Sequence, residues 1–246
     1  MCHDDDSRPP APPIQGEVAS RSDLKLRAGD GNQVLAHGAR AGAPTGIGVV
    51  IMPDVRGLHA YYGELAARFA EAGMHAVAID YFGRTADTDD RSEAFEYRPH
   101  VDKTTPEAIA ADVAAGVAHL RTDEGGAVDR VFTVGFCFGG AHSWGQSADT
   151  PGLDGCVGFY GKPERVEDKV DRMTAPILML MGGADENIPK DMVEAFAAKV
   201  RERGVRADLH VYDGAPHSFF DRKFADHRDA CDDAWRRVLA FVGRPL

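Results

Sequence analysis

A cysteine flanked by glycines is the residue of this sequence best placed to do chemistry. Cys137 lies at the centre of Val131-Phe-Thr-Val-Gly-Phe-Cys-Phe-Gly-Gly140, with Gly135 and Gly139 two residues away on either side. The apolar run before it is rich in β-forming residues and predicts a buried strand, while the residues after Gly140 can continue as a helix. A strand, a sharp turn and a helix in the pattern Gly-x-nucleophile-x-Gly form a nucleophile elbow. We therefore predict a nucleophilic thiol; the alternative is a buried cysteine in a glycine-rich strand end.

Two residues downstream of Cys137 could serve as its acid and base. Asp185 follows the apolar stretch Ile177–Met181, and His217 follows the strand predicted over Ala207–Tyr212. In open parallel sheets, sites form at the carboxyl ends of strands, so we expect all three side chains at one edge. The order nucleophile, acid, histidine along the chain is also that of a triad built on an elbow. A histidine oriented by an aspartate can hold a nearby thiol as thiolate, which is the reactive form.

Structural explanations for the same residues stay open at this point. Asp185 could be a turn residue or a helix cap, with Glu186 as an adjacent competitor, and His217 could be one of ten ordinary histidines. Metal-dependent hydrolysis is not indicated, because the sequence has no His-Glu-x-x-His motif and no close set of His and Asp ligands. We therefore predict a site without a metal.

Strands and helices are predicted to alternate along the chain after residue 47. The predicted strands, read from short apolar runs, are Ile47–Met52, His75–Ile79, Val131–Val134, Gly155–Tyr160, Ile177–Met181 and Ala207–Tyr212. The predicted helices, read from apolar residues at helical spacing, are Tyr61–Ala72, Thr105–Leu120, Lys190–Arg203 and, from about Lys223, the last helix to Phe241. This alternation predicts an α/β protein with a mostly parallel, doubly wound sheet and right-handed crossovers.

Three further segments complete the predicted organisation. Residues 1–20 hold four prolines between Pro9 and Pro13 and predict an irregular arm before a single domain over residues 21–246. Leu24–Arg27 and Val34–Leu35, around a turn rich in Gly and Asp, predict an antiparallel hairpin at the edge of the sheet. The acidic stretch Thr85–Lys103 has no clear period and predicts a long excursion over the site.

Composition and charge argue against several classes of partner. The 246 residues carry a net charge of −11, which argues against nucleic acid and against an anionic membrane surface. The sequence has no run of about 18 apolar residues that could span a membrane, and its first residues lack the apolar core of a signal peptide. The four cysteines are scattered without a Cys-x-x-Cys pair, which indicates a reducing compartment. We expect a cytoplasmic protein, and its oligomeric state, monomer or homodimer, stays open.

With these residues in view, the sequence resembles the dienelactone hydrolases (carboxymethylenebutenolidases) of the α/β-hydrolase superfamily. The resemblance runs from about Gly46 to the last helix. The motifs that carry it are the elbow around Cys137, Met181-Gly-Gly-Ala-Asp185 with Pro189 after it, and Gly214-Ala-Pro-His217-Ser-Phe219. It implies a Cys137–His217–Asp185 triad that hydrolyses an ester or lactone without a cofactor. The implied route is thiolate attack on the carbonyl, a thioester intermediate, and release of the acid by water.

Further site residues are implied by the resemblance alone. The oxyanion hole would use the backbone N–H groups of Phe138, which follows the nucleophile, and of Val55, in the loop after the strand Ile47–Met52. The glutamate that family members pair with the resting thiol corresponds to Asp54, which is one methylene shorter. We expect Asp54 to project toward Cys137 and to gate its proton; the alternative is a turn residue bonded to its own loop.

Three arginines are candidates for binding a substrate carboxylate. Family members use two arginines, and Arg84 stands at one of these positions, while Asp221 stands at the other with Arg222 one residue later. Arg56 adds a cation where the family usually has an apolar residue. We predict that Arg84, helped by Arg56 or Arg222, pairs with an anionic substrate; the alternative for Arg84 is a surface salt bridge to the Asp87–Asp90 loop. These departures leave the physiological substrate open.

Two other function classes remain as alternatives. Cysteine amidotransferases of flavodoxin-like fold also use Gly-x-Cys-x-Gly elbows, but they usually carry a His-x-Glu pair, whereas Ser218 and Phe219 follow His217 here. A non-catalytic binding protein with the α/β-hydrolase fold would predict a broken triad, and no triad member is missing. We therefore predict a hydrolase acting on carboxylic ester bonds, with a small-molecule ester or lactone as its partner.

Overall fold

Eight strands build one sheet in the part of the chain that the computed structural model describes, residues 6–221 and 223–243. The strands are β1 (Val18–Arg27), β2 (Gln33–Ala41), β3 (Ile47–Met52), β4 (His75–Ile79), β5 (Arg130–Phe136), β6 (Gly155–Phe159), β7 (Ile177–Gly182) and β8 (Ala207–Tyr212). Their order in the sheet is β1-β2-β4-β3-β5-β6-β7-β8. β2 pairs antiparallel with both β1 and β4, and every other neighbouring pair is parallel. The predicted antiparallel hairpin and mostly parallel sheet are confirmed.

Helices connect these strands on both sides of the sheet. They are α1 (Ala60–Glu71), α2 (Arg98–Val101), α3 (Pro106–Leu120), α4 (Phe138–Asp149), α5 (Lys190–Glu202) and α6 (Arg228–Phe241), with short 3-10 helices at Pro163–Arg165 and Glu167–Arg172. Helix α3 begins as predicted, because the Thr105 side chain caps it by accepting a hydrogen bond from the Ala108 N–H at 3.2 Å. None of these described helices combines the length and the apolar character that crossing a bilayer requires.

The core lies in two layers, one on each face of the sheet. Along β3, Val50 and Met52 belong to one hydrophobic cluster, and Val49 and Ile51 belong to the other. Helices α3, α4 and α5 contribute to the first cluster, and α1 and α6 contribute to the second. Every residue of β3 is buried, which explains why this strand appears in the sequence as a continuous apolar run.

Parallel pairing brings the predicted site residues to one edge of the sheet. Strands β3, β5, β6, β7 and β8 all run in the same direction, so their carboxyl ends lie side by side. Asp54 follows β3, Cys137 follows β5, Asp185 follows β7 and His217 follows β8. The fold therefore places all four residues in loops at one edge, where sites form in such sheets.

Some boundaries differ from the predicted ones. β1 begins at Val18, so the last residues of the predicted arm belong to the sheet. The arm itself is docked, because Trp235 Nε1 donates a hydrogen bond to the Pro10 carbonyl at 3.1 Å. Helix α6 begins at Arg228 instead of about Lys223, since the described residues before it form turn hydrogen bonds. The excursion at residues 85–103 contains the four-residue helix α2.

Candidate active site

The cysteine at the centre of the glycine motif sits on a sharp turn between a strand and a helix. Strand β5 ends one residue before Cys137, and α4 begins one residue after it. Cys137 has φ 55° and ψ −111°, a positive-φ conformation that costs a non-glycine residue about 1–3 kcal/mol. A Cβ on Gly135 would overlap the Gly139 carbonyl, and a Cβ on Gly139 would overlap the Met52 carbonyl. Close passage of strand and helix therefore requires these glycines, and the predicted strand–turn–helix geometry is observed.

An aspartate–histidine pair lies beyond the carboxyl ends of β7 and β8. Asp185 Oδ2 and His217 Nδ1 are 2.6 Å apart. The Asp185 side chain is fully buried, whereas 26% of the His217 side chain is exposed. Asp185 Oδ1 accepts a second hydrogen bond, from the Asn187 N–H at 2.9 Å. Because an ionised carboxylate can only accept, the shared proton lies on Nδ1 of His217, and Nε2 is the basic nitrogen.

Cys137 and His217 line the same cavity, which has a volume of about 240 Å³. The other lining residues are Val55, Phe138, Tyr160, Lys162, Arg165, Asn187 and Ile188. A mostly apolar pocket with a few convergent polar groups is the usual form of a small-molecule site. The structure thus brings the predicted nucleophile, the predicted base and both predicted oxyanion residues to one cavity.

Hydrogen bonds around Asp54 brace the loop after β3. Asp54 is fully buried, and its Oδ1 accepts a hydrogen bond from the Arg56 N–H at 2.9 Å. Its own N–H donates to the Tyr62 hydroxyl at 2.9 Å. Asp54 therefore makes the local contact that the turn-residue alternative expects. Its predicted gating of the Cys137 thiol stays a prediction.

Arg84 is held by acidic residues away from this cavity's lining. Its Nη2 donates to Asp112 Oδ1 at 2.7 Å, its Nε donates to Asp112 Oδ2 at 3.2 Å, and its Nη1 pairs with Asp30. Burial raises the pKa of the Asp112 carboxyl, although the Arg84 hydrogen bond opposes the increase. These partners lie outside the Asp87–Asp90 loop of the surface salt-bridge alternative. The cavity geometry gives no support to the predicted contact between Arg84 and a substrate.

Arg56, the second predicted cation, is also absent from the lining of this cavity. Arg56 is buried, with 2% exposure, and Arg222 lies outside the described residues. Asp221, at the family's second arginine position, is buried and accepts a hydrogen bond from the Tyr160 hydroxyl at 2.8 Å. The excursion at residues 85–103 contributes no lining residue either, so the predicted cover over the site is not seen at this cavity.

Five cavity residues were not found by sequence reasoning: Tyr160, Lys162, Arg165, Asn187 and Ile188. Tyr160 has φ 37°, and its ring centre lies 4.9 Å from that of His217. It directly follows β6, so the rule that sites form at strand ends could have found it. Lys162 and Arg165 lie farther along the same loop, where no motif or periodicity marks them.

A buried histidine lies behind the cavity wall. His142, on α4, is 7% exposed, and its ring centre is 4.4 Å from that of Phe138. Burial, assisted by the charges of Arg165 and Lys169, lowers the pKa of His142 to about 3. Within the described residues its Nδ1 has no hydrogen-bond partner. His142 is therefore neutral at physiological pH and is part of the packing behind the elbow.

Known proteins resemble this chain along most of its length. The dienelactone hydrolase family matches residues 35–246. An Escherichia coli K12 protein provisionally named as a carboxymethylenebutenolidase is 28% identical over 250 residues, which cover 94% of this chain and 92% of that protein. A Bradyrhizobium protein named as a probable 2-oxo-3-(5-oxofuran-2-ylidene)propanoate lactonase is 30% identical over 205 residues, which cover 79% of this chain and 82% of that protein.

Solved structures share the fold. The crystal structure of a Klebsiella pneumoniae protein provisionally assigned as a dienelactone hydrolase matches with a TM-score of 0.78 at 27% identity, covering 93% of this chain and 100% of that chain. The acylaminoacyl peptidase of Pyrococcus horikoshii matches with a TM-score of 0.74 at 12% identity, covering 94% of this chain and 42% of that chain, and shows the fold alone. These matches exclude the flavodoxin-like amidotransferase alternative. The chain belongs to the dienelactone hydrolase family of the α/β-hydrolase superfamily and is a hydrolase that acts on carboxylic ester bonds.

Proposed function

We propose that this chain hydrolyses an ester or lactone through a Cys137–His217–Asp185 triad and a thioester intermediate, without a cofactor. The observation that carries the proposal is the 2.6 Å contact between Asp185 and His217, beside a cavity that Cys137 also lines. The three residues come from three separate loops at one edge of the sheet. Such a constellation is recognised by its geometry and by the role of each group.

Acylation uses the Cys137 thiol and the basic nitrogen of His217. Nε2 accepts the thiol proton, and the thiolate attacks the carbonyl carbon, which forms a C–S bond and places negative charge on the carbonyl oxygen. The N–H groups of Val55 and Phe138 stabilise this oxygen. The bond to the leaving oxygen then breaks, the imidazolium gives that oxygen its proton, and a thioester remains. In a lactone the ring opens, and the released hydroxyl stays attached to the acyl chain.

Deacylation repeats the same proton transfers with water. His217 takes a proton from water, the resulting hydroxide attacks the thioester carbonyl, and the C–S bond breaks. The sulfur regains its proton from His217, and the carboxylic acid leaves. Asp185 keeps the imidazole in one orientation and stabilises its cationic form in both halves of the reaction.

The substrate class is supported by the relatives and by the cavity walls. The Bradyrhizobium relative is named as a propanoate lactonase, and the Escherichia coli relative carries the name of a carboxymethylenebutenolidase. Val55, Phe138 and Ile188 give this cavity apolar walls that fit a small acyl group. Lactones and esters that carry a carboxylate are therefore the substrates to test first.

An ester and lactone panel tests the proposal. The wild type is assayed with and without iodoacetamide, next to Cys137→Ala and the matched control Cys156→Ala. Cys156 is a buried free thiol whose pKa burial raises to about 12, so its loss should change only packing. We expect alkylation or Cys137→Ala to lower activity by at least about 1,000-fold. A wild type that hydrolyses no member of the panel, as a binding protein would, or activity that survives Cys137→Ala, contradicts the proposal.

We also propose a cytoplasmic location. Cys137, Cys156 and Cys231 are free thiols in the described part of the chain. Free thiols persist in a reducing compartment, and a cysteine nucleophile acts as the reduced thiolate. Cell fractionation checks this location, and recovery of the protein outside the cytoplasm would contradict it.

A further inference from the structure

Two cations line a cavity in a chain whose net charge is −11. Lys162 and Arg165 come from the segment after β6 and line the same cavity as Cys137 and His217. Lys162 is half-buried and Arg165 is exposed, so both side chains are accessible to solvent. An anionic substrate approaching an acidic protein requires a local positive charge of this kind.

Arg165 differs from Arg84 and Lys162 because no acid in the described part of the chain neutralises it. Across residues 6–221 and 223–243, no carboxylate forms a salt bridge with its guanidinium. The guanidinium carbon lies 5.1 Å from the centre of the Phe138 ring. By contrast, Arg84 is paired with two carboxylates, and Lys162 is paired with Glu164 at 2.7 Å. A substrate anion can therefore bind Arg165 without breaking an existing ion pair.

Phe138 connects Arg165 to the reacting centre. It is the residue directly after Cys137, and its backbone N–H is the proposed oxyanion donor, while its ring carries the guanidinium. A guanidinium over an aromatic face is oriented by the ring and keeps its N–H groups available for a carboxylate. A substrate whose carbonyl is at Cys137 could extend an anionic group past the Phe138 ring to reach Arg165.

We infer that Arg165 binds a carboxylate of the substrate and that Lys162 adds a second, weaker positive charge. The substrate class is then an ester or lactone with a carboxylate a short carbon chain away from the scissile carbonyl. This inference rests on the proposed function and deepens it. It assigns carboxylate binding to the loop after β6 instead of to Arg84.

Two matched esters test the assignment: mono-p-nitrophenyl glutarate, which has a free carboxylate, and its neutral methyl ester. Each is assayed with the wild type, with Arg165→Met, and with Arg203→Met as the control for net charge. Arg203 is exposed, pairs with Asp171 and does not line the cavity. We expect Arg165→Met to lower kcat/KM for the anionic ester about tenfold, mainly through KM, because a charge-assisted hydrogen bond is lost. For the neutral ester, and for Arg203→Met with either ester, we expect changes below about twofold.

The outcomes separate this inference from the proposed function. A wild type that hydrolyses neither ester contradicts the proposed function itself. The deciding quantity is the ratio of kcat/KM for the anionic ester to kcat/KM for the neutral ester. If both esters are hydrolysed and Arg165→Met leaves this ratio unchanged, the inference is wrong and the proposed triad is unaffected. The same holds if Arg203→Met lowers the ratio equally, because net charge then explains the effect. In a second test, Arg165→Glu should lower the ratio below that of Arg165→Met, and a higher ratio in Arg165→Glu than in Arg165→Met overturns the inference. Added salt should weaken the wild-type preference for the anionic ester.

Discussion

Asp54 is a buried carboxylate at the end of β3, one residue before Val55. Burial raises the pKa of the nearby Tyr81 phenol, and the charge of Asp54 raises it further. A carboxylate near a thiolate disfavours the thiolate by like-charge repulsion. We predict that Asp54 projects toward Cys137 and that the resting thiol therefore keeps its proton.

Asp54→Asn should make Cys137 in the free enzyme react faster with iodoacetamide near neutral pH and should lower kcat. Both effects follow because the substitution removes the repelling charge and the group that would accept the thiol proton. Alkylation rates measured across a pH series check this, with Asp226→Asn as an exposed control that changes net charge equally. Unchanged alkylation together with unchanged kcat would mean that Asp54 only holds its loop through the Arg56 N–H.

Sequence could identify some site residues and not others, for a physical reason. Cys137 and His217 each stand beside a local signal, a glycine motif or the end of an apolar strand. Arg84 is unavailable to a substrate because it pairs with Asp112, a residue 28 positions away in the sequence that contacts Arg84 only in the folded chain. The Arg165 side chain is positioned at the cavity by packing on the Phe138 ring, and no sequence pattern in its own loop predicts this contact.

Among the elements, a buried ion pair ties the long excursion to the loop that carries Val55. Asp80, after β4, accepts a hydrogen bond from the Leu58 N–H at 3.1 Å. Arg91, from the excursion, donates to Asp80 through Nε at 3.0 Å and through Nη2 at 2.9 Å. Both side chains are almost completely buried, and the guanidinium lies 4.5 Å from the centre of the Phe95 ring. One carboxylate thus joins two loops at the site edge of the sheet.

Arg91→Met should strongly destabilise the protein, because Asp80 would remain buried without its counter-charge. Breaking such a pair lowers the free energy of unfolding by about 3–5 kcal/mol. Lys25→Met is the matched control, since Lys25 pairs with Asp89 of the same excursion at 3.2 Å but both side chains are exposed. That pair should contribute less than about 1 kcal/mol. Urea unfolding measures both variants, and equal small losses would show that the buried pair does not hold the excursion.

The strands were predictable and the course of the excursion was not. A strand buried on both faces, such as β3 or β7, leaves a continuous apolar run in the sequence. The excursion is positioned by the pairing of Asp80 with Arg91 and by stacking on Phe82 and Phe95, contacts that follow no period. The start of α6 was missed for a similar reason, because turn hydrogen bonds before Arg228 interrupt a helical pattern.

For the whole molecule, the free energy of unfolding should decrease as the pH falls below about 6.5, the ordinary histidine pKa. The folded protein holds the pKa of His142 at about 3, so the unfolded chain binds this proton more tightly. The contribution of His142 to the free energy of unfolding is fully present above about pH 6.5. It decreases by about 1.4 kcal/mol per pH unit as the pH falls toward 3. His142→Leu should flatten that slope, and half-buried His227 provides the control His227→Leu. Urea unfolding across this range checks the prediction, and identical slopes in wild type and His142→Leu would contradict it.

Covalent attachment of the acyl group to Cys137 is tested most directly by trapping it. The wild type is mixed with a p-nitrophenyl ester, quenched with acid during turnover, and examined by intact mass and peptide mapping. We expect one acyl group per chain, located on the peptide that contains Cys137 and absent from Cys137→Ala, because the thioester is the intermediate between the two halves of the reaction. An acyl group on Cys156, on Cys231 or on a serine, or full turnover by Cys137→Ala, would contradict the triad.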